Sequence, residues 1–207
     1  MEIHPPEKPI HTVKDFLLQL TTITIGILIA LSLEAAVEWS HHRTLVSEAK
    51  ENLSREILNN RAEAEKILSA IPKLRANEEK ALQFIDDLRG HRLQNRNEKG
   101  VLDFSYYLGL MSSTGWSTAQ ASGAVTHMSY PDVQKYADLY DLQRKFDGLQ
   151  DRFVEDLIAA TPSDDPDNAS PRELQEWRHR VQTSLTSLKN LEGLARTLKD
   201  DYDRALR

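Results

Sequence analysis

Two Glu-x-x-His pairs carry the sharpest chemistry in this sequence: Glu38-Trp39-Ser40-His41 and Glu176-Trp177-Arg178-His179. A carboxylate and an imidazole one helical turn apart share a face. Two such pairs turned into a bundle core are part of the ligand set of carboxylate-bridged di-iron proteins. The register of the last helix argues against a di-metal oxidase. Trp177 falls on the core-facing side there, which turns Glu176 and His179 toward water. Tandem His41-His42 reads more simply as an interfacial polar pair, although neutral imidazoles can bind metal. No catalytic residue, metal or cofactor is expected.

A second cluster lies in the small-residue stretch 115–124, where Trp116, Gln120 and His127 stand near Tyr106, Tyr107 and Tyr130. Small side chains around aromatic and polar groups can line a ligand pocket. The alternative is close packing of a short helix, with Trp116 filling the core. Other catalytic signatures fail: there is no Gly-rich phosphate loop and no Gly-x-Ser-x-Gly elbow. Ser47-x-x-Lys50 lacks the companion motifs that give it meaning in penicillin-binding enzymes. The chain has no cysteine, which excludes disulfides, thiolate metal sites and a Cys nucleophile. A net charge of -6, with Lys and Arg interleaved among Asp and Glu, argues against a nucleic-acid partner.

The elements that hold these residues are helical throughout, so the expected class is all-α. Over 44–89, Val46, Leu53, Asn60, Ile67, Leu74, Ala81 and Leu88 alternate with Lys50, Ile57, Ala64, Ile71, Glu78 and Ile85 at heptad a and d spacing. Lys50, Asn60 and Glu78 break that apolar seam, and Leu68, Leu82 and Phe84 widen it, as in a bundle helix. Pro72 is expected to kink or divide the rod. Residues 90–100 read as an exposed turn. Two short helices are expected next, over 103–111 and 115–128, the second capped by Ser113 or Thr114. Pro131 opens a helix to about Ala160, with Leu139, Leu142, Phe146, Leu149, Phe153 and Leu157 as its stripe. After the loop 161–170, Ser170-Pro171 and Glu173 start a last helix to about Leu206. Its seam is Leu174, Trp177, Val181, Ser184, Leu188, Leu191, Ala195, Leu198, Tyr202 and Ala205.

Residues 16–33, FLLQLTTITIGILIALSL, form a long stretch without a charge. About 18 helical residues span about 27 Å, close to the hydrocarbon thickness of a bilayer. The run exceeds a usual signal core, and Glu34 stands where a cleavage site would need small neutral residues, so an uncut anchor is expected. The organisation is then a tail over 1–15, a transmembrane helix over 16–37 and a helical domain over 38–207, built as an antiparallel bundle. Gln19, Thr22, Gly26 and Ala30 share one face of the span. Small residues four apart let helices approach, so Thr22, Gly26 and Ala30 read as a dimer face, or else as residues a membrane helix merely tolerates. Lys8 and Lys14 before the span balance Arg43 and Lys50 after it. A short N-terminal tail before a long domain favours a cytoplasmic N-terminus.

Ile25-Gly26-Ile27-Leu28-Ile29-Ala30-Leu31, followed by Glu38-Trp39, resembles the N-terminal anchor of uncharacterised bacterial single-pass membrane proteins of domain-of-unknown-function type. Residues 115–124, Tyr130-Pro131-Asp132-Val133 and Tyr140-Asp141-Leu142-Gln143 are similar to an internal Trp and small-residue signature of such proteins. The resemblance implies topology: a bacterial inner-membrane anchor and a periplasmic C-terminal domain. It transfers no catalytic residue. The expected role is a scaffold or interaction protein whose partners are the lipid bilayer and either a second copy or another membrane protein. The alternative is a ligand-sensing periplasmic domain that signals through a partner.

Overall fold

The structure, a computed structural model, describes residues 13–90, 105–162 and 166–207. These residues form four α-helices and no strand: α1 (Val13–Arg89), α2 (Thr114–Ala121), α3 (Tyr130–Ala160) and α4 (Pro171–Ala205). Short 3-10 turns cover Ala124–His127 and Pro166–Asn168. The chain divides into two compact units, Met1–Glu48 and Ala49–Arg207, and α1 contributes to both.

In the first unit, α1 carries no charge over residues 16–33, and every side chain of that run is exposed. Phe16, Leu20, Ile23, Ile27, Leu31 and Val37 are all exposed. An 18-residue window has mean hydropathy 2.1 with none of it buried, so this helix is long and apolar enough to cross a membrane. Its hydroxyls are satisfied without leaving the helix: Thr21, Thr22, Thr24 and Ser32 each donate to the carbonyl four residues earlier, at 2.7 to 2.9 Å. That back-bonding lets a hydroxyl sit in an apolar medium without an orphan donor. Beyond the run, the Arg43 guanidinium lies 5.5 Å from the Trp39 ring centroid, an amphipathic pair suited to a membrane–water boundary.

In the second unit, three helices bury seams that alternate three- and four-residue steps. On α1 the seam is Leu53, Ile57, Asn60, Ala64, Ile67, Ile71, Leu74, Glu78, Ala81 and Ile85, and on α4 it runs from Leu174 to Tyr202 at the expected positions. On α3 the buried set is Tyr136, Leu139, Gln143, Phe146, Gln150, Phe153, Leu157 and Ala160, joined by Tyr140. Leu142 and Leu149, expected in the stripe, are only half-buried, and Gln143 and Gln150 take the seam instead. Contacts give the directions. Lys50 meets Asp132 and Asn60 meets Gln143, so α1 and α3 run parallel. Arg61 pairs with Asp203, and Arg75 with Glu192, so α4 runs the other way.

Pro72 does not divide α1. It sits on an exposed position, where the carbonyl freed by its missing N–H can reach water. Ile71 and Leu74 stay buried on either side and hold the register. The two later helices begin as their sequences dictate. The Ser129 hydroxyl accepts from the Asp132 N–H, with Pro131 in the first turn. Ser170 and Glu173 form a full capping box. Trp177 Nε1 donates to the Ala160 carbonyl at 2.6 Å, closing the last turn of α3.

The helix expected over 103–111 is not formed: residues 105–113 contain no helix, and 103–104 lie outside the described residues. Two parallel helices need a return crossing, and this segment is the part of it that precedes α2, lying extended against α1 and α3. The helix expected over 115–128 is also broken. α2 ends at Ala121, Gly123 adopts φ 76°, and a 3-10 turn follows. A residue with a side chain would be strained at that backbone angle, so the glycine sets the bend. The turn expected over 90–100 lies outside the described residues beyond Gly90.

Candidate functional site

The polar seam residues and the extended segment form one site. Gln143 and Gln150 stand seven residues apart on α3, about 10 Å along a helix. Gly109 and Ser112 stand three apart on the extended segment, also about 10 Å. The spacings match, and each glutamine takes one backbone position. Gln150 Nε2 donates to the Gly109 carbonyl at 3.0 Å, and its Oε1 accepts from the Gly109 N–H at 3.3 Å. Gln143 Nε2 donates to the Ser112 carbonyl at 3.1 Å. From α1, Asn60 Nδ2 donates to that same carbonyl at 2.7 Å, and Asn60 Oδ1 accepts from the Ser112 N–H at 2.9 Å. Two tyrosines complete the set: Tyr106 donates to Gln150 Oε1 at 2.8 Å, and Tyr202 to Gln143 Oε1 at 2.8 Å.

An extended backbone with no neighbouring strand needs partners for its buried N–H and C=O groups. Here amide side chains replace a sheet. Gly109 is required by the close approach: a Cβ there would fall within 2.6 Å of Ile67 Cγ1. The exposed neighbours Leu108 and Leu110 point the other way.

Glu56 anchors the start of α2. Ser113 occupies the cap position but makes no side-chain bond to the helix. Glu56 supplies it from α1, accepting from the Gly115 N–H at 2.8 Å, the Ser112 hydroxyl at 2.6 Å and the Tyr140 hydroxyl at 2.7 Å. Burial pushes this acid up. Hydrogen bonds from Gly115, Ser112, Tyr140 and the Trp116 backbone outweigh it, and the carboxyl titrates below its ordinary value. Burial, with the Glu56 carboxylate beside it, pushes the Tyr140 phenol up.

Trp116 is buried, stacked on Tyr140 at 5.7 Å and 4°, with Tyr136 at 6.2 Å. Gln120 and His127 take exposed positions. Of the Glu-x-x-His pairs, Glu38 and His41 belong to the first unit, and exposed Glu176 and His179 to the second. No group of three or more His, Cys, Asp or Glu that could hold a metal occurs among the described residues. Thr22, Gly26 and Ala30 are exposed on α1, and a Cβ at Gly26 would meet nothing within 4 Å.

One buried acid stands apart. Glu78 is fully buried, its Oε1 accepts from the Ser184 hydroxyl at 2.8 Å, and its Oε2 has no partner. Burial pushes its pKa up to about 7, with the Ser184 bond acting in the opposite sense. The sequence marked Asn60, Glu78 and Ser184 as seam positions but gave no sign of what they bind. The heptad spacing of Gln143 and Gln150 after Tyr136 and Leu139 was the available signal for the other two.

Chemically, the arrangement binds backbone and holds shape: Asn60 and Gln150 are spent on the crossing segment, and Gln143 joins that segment to Tyr202 of α4 and Asn60 of α1. Comparison with protein-family models, with curated proteins and with solved structures returns no match to this chain.

Proposed function

We propose that the chain is a single-pass inner-membrane protein whose helical bundle, on the periplasmic side, serves as a scaffold or docking module. It works through self-association or through another membrane protein. The observation that carries this reading is the contrast within α1: the first unit exposes an all-round apolar run, while the second closes its own core. Leaving a surface of that kind in water would be strongly unfavourable, and a bilayer is the solvent that suits its length. The internally bonded hydroxyls of Thr21, Thr22, Thr24 and Ser32 support it. A scaffold role is supported by the use of the polar seam for holding backbone.

The absence of cysteine makes the test clean. Ser54→Cys, on an exposed position of the bundle, should react with a membrane-impermeant maleimide in intact cells. Ile25→Cys should stay unlabelled until detergent is added. Labelling of Ile25→Cys without detergent removes the anchor, and failure of Ser54→Cys to label in intact cells, with labelling after lysis, reverses the orientation.

A further inference from the structure

Glu78 occupies a seam position that an apolar side chain would ordinarily fill. It is 0% exposed, receives one hydrogen bond, and leaves Oε2 without a partner. An ionised carboxylate so placed lacks both water and a counter-charge. The charged groups around it are engaged elsewhere or turned outward. On α1, Arg75 pairs with Glu192 and Asp86 with Arg178, while Lys73, Glu79 and Lys80 are exposed. On α3, Asp156 accepts from Ser187 and Glu155 is exposed. On α4, Arg180 is exposed. No ion pair reaches Glu78 among the described residues.

The core just beyond Glu78 is a small cluster: Ala81, Ile85, Ala160, Leu174, Trp177 and Val181. It joins the end of α1, the end of α3 and the start of α4. A charge appearing at Glu78 is therefore felt first by this end of the bundle.

We propose that Glu78 is a proton-operated latch for this end of the bundle: neutral Glu78 keeps the Ala81–Ile85, Ala160 and Leu174–Val181 layers packed, and its ionisation lets them open. The neutral carboxyl still accepts from the Ser184 hydroxyl and buries no charge, whereas the carboxylate can be relieved only by admitting water. The sign follows from the raised titration point, about 7 against 4.5 in water. Below about pH 4.5 the acid is neutral in closed and open forms alike, and closure is fully favoured. As pH rises from there to about 7, only the open form ionises, and closure weakens; above that the effect is constant.

The test is hydrogen exchange resolved by peptide, on the full-length protein in lipid nanodiscs at pH 5.5 and 8.0, corrected for intrinsic rates. Peptides from 78–89 and 171–184 should open about thirty-fold more at the higher pH, and peptides from 105–121 serve as the internal reference. Glu78→Gln keeps the acceptor for Ser184 and should abolish the difference. Ser184→Ala removes the bond that favours the ionised form and should move the transition to higher pH. Equal exchange at both pH values in the unaltered protein overturns the proposal. So does an undiminished pH effect in Glu78→Gln, or a transition that Ser184→Ala leaves in place or lowers.

Discussion

Replacing Gln150 by leucine separates two opposite expectations. If the seam only needs apolar filling, Gln150→Leu adds buried hydrocarbon and should stabilise the bundle by about 1–2 kcal/mol. The geometry predicts the reverse. Gln150 is 4% exposed and bonds the Gly109 N–H, the Gly109 carbonyl and the Tyr106 hydroxyl. Leucine strands all three, and each buried unsatisfied group costs about 1–3 kcal/mol. Release of the segment into water recovers part of that, so the net loss should be about 2–4 kcal/mol. Denaturant unfolding followed by circular dichroism gives the total, and exchange protection over 105–113 shows where it is lost. Protection there should collapse while that of α4 persists. A stabilised variant, or one whose 105–113 amides stay protected, would mean that Gln150 does not hold the segment.

Gly109→Ala should destabilise by about 1–3 kcal/mol through contact with Ile67. Ile67→Ala removes both clashing atoms, so in a thermal-melt double-mutant cycle Gly109→Ala with Ile67→Ala should lose less than the sum of the two single losses. Glu56→Ala should cost about 2 kcal/mol by stripping α2 of its anchor. Because that carboxyl titrates low, its contribution is present above the ordinary Glu value and is lost as pH falls through the depressed one. An acid titration of stability in the two proteins should therefore converge at low pH. Pro72→Ala should raise the melting temperature, since an exposed interior proline costs up to about 3 kcal/mol and no seam contact depends on it.

The α1 and α4 seams were legible because Leu, Ile, Ala and Val repeat there at three- and four-residue steps that nothing interrupts for more than one position. On α3 the same rule misled. Leu139, Phe146, Phe153 and Leu157 take the expected seam positions, but Leu142 and Leu149 fall one residue off it, because hydrophobicity alone discounts Gln143 and Gln150, whose value lies in the backbone they hold. The helix expected over 103–111 fails over 105–111 for a related reason. Its tyrosines and leucines fit a helical pattern, and the competing pull comes from Asn60, Gln143 and Gln150, which are distant in sequence. Side-chain bonds to remote backbone leave no local signature. The small neighbours of Trp116 fit either a pocket or a packed core, and its stacking on Tyr140 has no signature in the sequence.

The proposed function rests on the apolar part of α1 lying in lipid and holding the bundle at the membrane. Alkaline carbonate extraction of membranes carrying the full-length protein tests it most directly. The protein should stay with the membrane pellet through carbonate and high salt, and leave it only with detergent. Its appearance in the supernatant before detergent would mean that α1 does not anchor the protein.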